Sequence, residues 1–330
     1  MPASKSNPPS ATRQRPAAPK PESSAAAPAA PPPATQGLAL LIGLNAVNPR
    51  HYGGFDGPLR GAEHDATDLA QLAQRHGLVA TVLLTAQATR AKVLGAVRKA
   101  SRSLGPGDLF MMSFAGLGGQ VPDVTGDEAS RQDKTWCLFD AQLIVKELLL
   151  ELSRFAPGVR LFLIEDTCHS GTVTRAVPMV VSDAGADALR PRLLPMAVAL
   201  RTYREHQAYY DRAQADLVRT IKLQVTADEP PAATRLEQLT ESALTRQLAS
   251  HFAPALVALT AVQDNQTAQE TATGGVFTQA LLTTLQRSGP PAGLDRLTAL
   301  VRALLPATQS PFAWTMGPAA RWLKKPLFEA

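Results

Sequence analysis

The sequence is poor in cysteine and aromatic residues, and it has no long uninterrupted apolar run. Only two cysteines, Cys137 and Cys168, occur in 330 residues, so a disulfide-stapled secreted fold is excluded. No run of about eighteen apolar residues is present, and the N-terminal region lacks the apolar segment of a signal peptide. We therefore expect a cytoplasmic protein that does not associate with a membrane.

Positive charge is concentrated near the N-terminus. The formal net charge is +5, and residues 1–36 contain four basic residues and one acidic residue. The rest of the chain is close to neutral, so its charge gives little reason to expect a nucleic-acid partner. Residues 1–36 consist mostly of Pro, Ala and Ser. Such a segment cannot bury enough apolar surface to offset its ordering entropy, so we predict a disordered Pro/Ala-rich tail over residues 1–36.

Beyond the tail, short apolar runs alternate with longer amphipathic segments. This alternation is typical of an α/β fold with a mostly parallel sheet and helices on both faces. One domain is predicted over residues 37–330. The predicted strands are residues 38–46, 80–85, 108–115, 160–166 and 255–262. The predicted helices are residues 61–76, 89–104, 142–155, about 197–222 and 276–287, and residues 121–135 are predicted as a polar loop.

A long insertion at about residues 173–254 separates two of the predicted strands. Insertions of this length within a compact α/β domain usually have a function or support a site. The strand before it ends in a polar segment, Glu165 to Ser170, that contains Cys168. A lone cysteine is most often a small buried apolar residue. These polar neighbours, at the strand end where parallel sheets bind ligands, favour a nucleophile instead.

Six segments, one of which contains Cys168, together resemble one family. With these segments in this order, the chain is similar over residues 37–330 to the caspase-like domain of bacterial metacaspases and orthocaspases. The resemblance implies a caspase-like three-layer sandwich, a Cys and His dyad, and cleavage after Arg or Lys. The segments are LLIGLN, LRGAEHDATDLAQL, FAGLGGQVPDVTGDE, TWCLFDAQLI, EDTCHSGTVTR, and TAVQDNQTAQE followed by GGVFTQALL.

The resemblance also implies roles for individual residues. Cys168 matches the nucleophile, and its backbone N–H and that of Gly118 would form the oxyanion hole. Asp65 and Asp166 match the acids of the pocket for a basic side chain, and two carboxylates suit an Arg guanidinium. Asp264 could help to line the same pocket. The alternative for Asp65 is an acid on a helix surface.

The chain departs from the family pattern at three places. The glycine-rich turn has Ala115 and Leu117 where the family has Ser and His. Calcium is possible in the family, but two acids of its acidic loop are Ser130 and Lys134 here. After Asp140 the family usually has two acids before a Glu, whereas this chain has Val145 and Lys146 before Glu147. We therefore expect no metal and no cofactor.

Three functions remain open from the sequence. The first is a pseudoprotease that binds peptide or protein segments containing Arg or Lys without cleaving them. The second is an active cysteine endopeptidase with a substitute base, for which His51 and His64 are the first candidates. The third is an interaction scaffold in which the proline-rich tail is the working part. An active enzyme is expected to cut itself within the insertion, where the candidate sites are Arg175, Arg190, Arg192, Arg201 and Arg204.

Overall fold

The computed structural model describes residues 35–169, 189–224, 242–263, 266–289, 291 and 293–328. The predicted tail lies outside these residues except for residues 35 and 36. The strands are β1 (Gly37–Gly43), β2 (Val79–Leu84), β3 (Leu109–Ala115), β4 (Gly118–Pro122), β5 (Gln132–Cys137), β6 (Gln142–Ile144), β7 (Arg160–Asp166), β8 (Arg190–Pro191), β9 (Ala255–Thr260), β10 (Gln269–Glu270) and β11 (Phe312–Met316). The helices are α1 (Ala62–Arg75), α2 (Arg90–Ser103), α3 (Val145–Leu152), α4 (Met196–Glu205), α5 (Gln207–Gln224), α6 (Ala243–Ser250), α7 (Val276–Ser288) and α8 (Leu294–Arg302), with 3-10 turns at Thr85–Gln87 and Ala319–Lys324.

A six-stranded sheet forms the centre of the domain, in the order β11-β9-β7-β3-β1-β2. Five of its strands are parallel, and β11 is an antiparallel edge strand beside β9. The register aligns Ala115 at the end of β3 with Gly43 of β1 and Asp166 of β7. The turns that follow these strands therefore leave the sheet at the same edge.

Apolar residues cover both faces of this sheet. Alternate side chains of the strands pack on one face against α2, α3, α5 and α6, and on the other face against α1, α7 and α8. Strands that are buried on both sides read as continuous apolar runs, which is why β1, β3 and β7 were visible in the sequence. The expected α/β arrangement of three layers is present.

A second sheet of three strands, in the order β4-β5-β6, occupies the region after β3. It corrects two predictions. Residues 121–135, predicted as a polar loop, contain most of a β4–β5 hairpin. Residues 142–155, predicted as one helix, begin with β6, and α3 starts only at Val145. Trp136 pairs with Leu143 across β5 and β6, so pairing between strands decides the structure here.

Two helices, α4 and α5, are found where the sequence predicted one helix at about 197–222. The break is at His206, whose ring stacks on His51 with centroids 4.1 Å apart. These helices belong to the insertion, and α4 packs beside β4 while α5 packs beside α3. Within the described ranges, no helix is both long enough and apolar enough to cross a membrane.

Candidate active site

Cys168 lies two residues beyond the end of β7, beside the glycine-rich turn that follows β3. Its side chain is buried, and its thiol donates a hydrogen bond to the carbonyl oxygen of Gln266 at 2.9 Å. This hydrogen bond fixes the position of the Cys168 sulfur.

Gly118 packs directly against the backbone of Cys168. A Cβ atom at position 118 would lie 2.0 Å from the carbonyl oxygen of Cys168, so only glycine permits this approach. As a result, two backbone N–H groups converge on one acceptor. Gly118 N–H and Cys168 N–H both donate to the carbonyl oxygen of Arg192, at 3.1 and 3.2 Å. Paired donors of this kind stabilise the oxyanion of a tetrahedral intermediate in acyl transfer.

The side chain of Arg192 fills an acidic pocket. Its Nη2 contacts Asp65 at 2.5 Å and Glu270 at 3.2 Å, and its Nη1 contacts Asp166 at 3.0 Å. All four side chains are almost completely removed from water. A buried charge is tolerated only when it is paired and hydrogen-bonded, so the guanidinium and the three carboxylates depend on one another.

Backbone N–H groups hold the two predicted pocket acids in place. Asp65 lies in the first turn of α1 and accepts a hydrogen bond from Gly275 N–H at 2.9 Å. Asp166 accepts from the N–H and the hydroxyl of Thr278, at 3.1 and 2.7 Å, in the first turn of α7. Asp65 is thus buried and does not lie on the helix surface. Asp264 lies outside the described residues.

Glu270 is a pocket acid that the sequence analysis did not identify. It accepts hydrogen bonds from Arg60 N–H at 2.7 Å and Gly61 N–H at 3.2 Å, which lie just before α1. It belongs to the family-like segment TAVQDNQTAQE, but nothing in that pattern distinguishes it from an exposed acid. Its role as a pocket acid is apparent only from its position in β10, next to Arg192.

The backbone around Arg192 lies in the cleft as an added strand. Arg190 and Pro191 form β8, which is antiparallel to β10. Arg192 N–H donates to Ala268 O at 2.9 Å, and Leu194 N–H donates to Gly118 O at 2.7 Å. Addition of a strand with side chains in pockets is a common mode of peptide recognition. This part of the chain therefore occupies the cleft in the manner of a peptide whose basic residue is Arg192.

Leu117 lies beside this cleft in an apolar environment. Its side chain is 4% exposed and belongs to a buried cluster with Val47, Tyr52, Leu59 and Leu194. A leucine side chain can neither accept nor donate a proton. At the position where the resembling family has a histidine, the leucine side chain therefore contributes only packing.

The two candidate substitute bases have other environments. His51 Nε2 is hydrogen-bonded to the Tyr210 hydroxyl at 2.7 Å, and its ring stacks on His206. Burial, together with the nearby His206, lowers the pKa of His51 to about 4. His64 is exposed on α1. His51 is therefore held against the helices of the insertion, and His64 faces solvent.

Burial in this pocket changes the pKa of Asp65. Burial raises the pKa of Asp65 to about 7; the Arg192 guanidinium opposes this shift and the charge of Asp166 adds to it. A carboxyl whose pKa is higher in the folded than in the unfolded chain binds protons preferentially on folding. Its contribution to stability is present near pH 4 and is lost as the pH rises through 7.

This shift predicts a pH-dependent stability. We expect the Asp65 contribution to the free energy of unfolding to fall between pH 4.5 and pH 7.5. Urea unfolding of the native chain and of Asp65→Asn, measured across this range, isolates the effect. The slope against pH should be less negative in Asp65→Asn, whose amide does not titrate. Identical slopes would contradict a raised pKa at Asp65.

Known proteins support the family suggested by the motifs. Metacaspase-1A of Aspergillus fumigatus and Metacaspase-1 of Emericella nidulans are each 33% identical to the chain over 162 residues. The alignment covers 44% of this chain and 38% of each relative, so the chain spans well under half of their length. A crystal structure of a Geobacter sulfurreducens protein has a TM-score of 0.71 at 36% identity, covering 89% of this chain and 98% of that chain.

The fold and the family resemblance are therefore confirmed. The caspase domain family, Peptidase_C14, matches residues 36–318, which is most of the chain. Together with the parallel sheet, the cysteine after β7 and the metacaspase relatives, this match assigns the chain to the caspase domain family of peptidases.

Proposed function

We propose that this chain is a caspase-domain pseudoprotease that holds an arginine-containing segment in its cleft without cleaving it. One observation carries the proposal. The carbonyl oxygen of Arg192 accepts from Gly118 N–H and Cys168 N–H, while the side chain at position 117 is a buried leucine. Binding groups for an arginine peptide are thus assembled around Cys168, while the side chain at position 117 can neither accept nor donate a proton.

The rate of cleavage after Arg192 depends on proton transfers that the side chain at position 117 cannot provide. Attack by the Cys168 sulfur on the Arg192 carbonyl carbon requires loss of the thiol proton, and breaking the bond to the nitrogen of Leu193 requires a proton on that nitrogen. A positioned acid or base typically contributes about 10²- to 10⁴-fold to such a step. Leu117 supplies neither function, so the amide bond after Arg192 is expected to persist.

The pocket geometry favours arginine over lysine. Nη1 and Nη2 of Arg192 contact different carboxylates, those of Asp166 and Asp65. A planar guanidinium presents several donors in a fixed fork, whereas an ammonium is a single compact charge. We infer that a partner protein would bind this pocket through an arginine-containing segment. That segment must displace Arg192. Because Arg192 is part of the same chain, its effective concentration at the pocket is on the order of millimolar.

A peptidase assay tests the proposal. The native chain is expected to hydrolyse a fluorogenic peptide with Arg before the scissile bond no faster than Cys168→Ala does. Intact-mass measurement should show a single uncut native chain. The substrate-like position of Arg192 also fits an active endopeptidase awaiting self-cleavage. Hydrolysis that depends on Cys168 would support that alternative, and loss of the rate in His51→Ala or His64→Ala would then identify the base.

A further inference from the structure

A buried lysine lies at the centre of the acidic loop after β4. Lys146 of α3 is 7% exposed, and its Nζ contacts Asp127 at 2.7 Å, Glu128 at 2.8 Å and Asp133 at 2.8 Å. An ammonium group has three N–H donors, and each of these carboxylates lies within reach of one. Burial alone would lower the pKa of Lys146, but these carboxylates raise it above its usual value.

This ammonium connects three parts of the domain. Asp133 belongs to β5, whose partner strand β4 begins at Gly118. Asp127 also accepts hydrogen bonds from the Ser242 hydroxyl at 2.5 Å and from Leu244 N–H at 2.8 Å, at the start of α6. The hairpin, α3 and α6 therefore meet around a single positive charge.

While Lys146 occupies its centre, the same loop does not fit a calcium ion. Calcium requires six to eight oxygen ligands at about 2.3–2.6 Å, whereas the centre of this group is occupied by a nitrogen that carries its own charge. Two further positions that are acidic in the resembling family are Ser130 and Lys134. Across the part of the chain that the structure describes, no group of three or more His, Cys, Asp or Glu is arranged to hold a metal ion.

We propose that Lys146 is a built-in cation: its ammonium takes the place of a divalent metal ion among Asp127, Glu128 and Asp133. The charge is covalently attached, so it cannot dissociate. The β4–β5 hairpin, and with it the N–H of Gly118, is then held in position independently of the calcium concentration. This assignment rests on the acidic loop alone and does not depend on whether the cleft is catalytic.

Thermal unfolding and calorimetric titration of the full chain test the proposal. The native melting temperature should be the same in millimolar CaCl₂ and in EGTA, and CaCl₂ should give no binding heat. In EGTA, Lys146→Ala should melt about 5–10 °C lower, because three buried carboxylates lose their partner. CaCl₂ should restore most of this loss and bind Lys146→Ala. Lys99→Ala, at an exposed position of α2, is the matched control and should melt like the native chain in both solutions.

Three results would overturn the proposal. One is a native chain that binds CaCl₂ and is stabilised by it. Another is a Lys146→Ala chain that is no less stable than Lys99→Ala. The third is a destabilised Lys146→Ala chain that CaCl₂ does not rescue, since the ammonium would then not occupy a divalent-ion position. If Lys146→Ala does not fold, the titration of the native chain with CaCl₂ still decides the question.

Discussion

A Leu117→His chain is expected to cut itself after Arg192, giving fragments of residues 1–192 and 193–330. Under the proposed function, the native chain already has the other groups that this reaction would use: the Cys168 sulfur, the two N–H donors to the Arg192 carbonyl oxygen, and the acidic pocket around the guanidinium. A histidine at position 117 would take the thiol proton and return a proton to the nitrogen of Leu193. We expect self-cleavage to accelerate by about 10²- to 10⁴-fold.

Intact-mass measurement under denaturing conditions follows this reaction. Denaturation is needed because β9, in the second fragment, pairs with β7, in the first, so the fragments should stay associated in the native state. Leu117→Gln places a polar group without a base at the same site, and Leu117→His combined with Cys168→Ala removes the nucleophile; both should remain intact. A folded Leu117→His chain that stays whole would show that another element is missing. Cleavage at a different arginine would contradict the assignment of Arg192.

Replacement of Arg192 by alanine is expected to lower the free energy of unfolding by about 3–5 kcal/mol at neutral pH. The reason is that Asp65, Asp166 and Glu270 are buried around the guanidinium, and its loss leaves them without a compensating charge. The deficit should shrink at pH 5, because Asp65, whose pKa is raised by burial to about 7, is then protonated and no longer carries an uncompensated charge.

Urea unfolding at both pH values provides the measurement, and Arg190→Ala is the matched control. Arg190 is two residues away in the same segment, but its guanidinium donates to the carbonyl oxygen of Pro58 and forms no ion pair within the described residues. We expect its replacement to change stability by at most about 0.5 kcal/mol. Equal effects of the two substitutions would mean that the buried ion cluster does not stabilise the folded chain.

The central sheet was predictable because its strands are buried on both faces. Continuous apolar runs such as residues 161–164 of β7 identify such strands without any knowledge of their neighbours. The second sheet was not predictable in this way. Residues 132–137 carry mixed polar and apolar side chains, and they form a strand because they pair with β4 and β6. Local sequence does not encode that pairing.

Some residues of the candidate site were also predictable from the sequence, and others were not. Cys168, Gly118, Asp65 and Asp166 follow strands or begin a helix, so short motifs locate them near one edge of the sheet. Arg192 was only one of nine arginines in the insertion, five of which were named as candidate cleavage sites, and nothing in its immediate sequence marks it out. Its contacts with Asp65 and with Glu270 span 127 and 78 residues.

By itself, the sequence determined the family and the parallel sheet, and it predicted a nucleophile at Cys168 and a leucine, Leu117, where the resembling family has a histidine. These features are local, since each depends on residue types within a short segment. The tertiary structure decided which arginine fills the acidic pocket and which cation fills the acidic loop. Both outcomes require a charged side chain to meet carboxylates from distant segments. Each buried cation is paired with carboxylates because a charge that is removed from water must be paired.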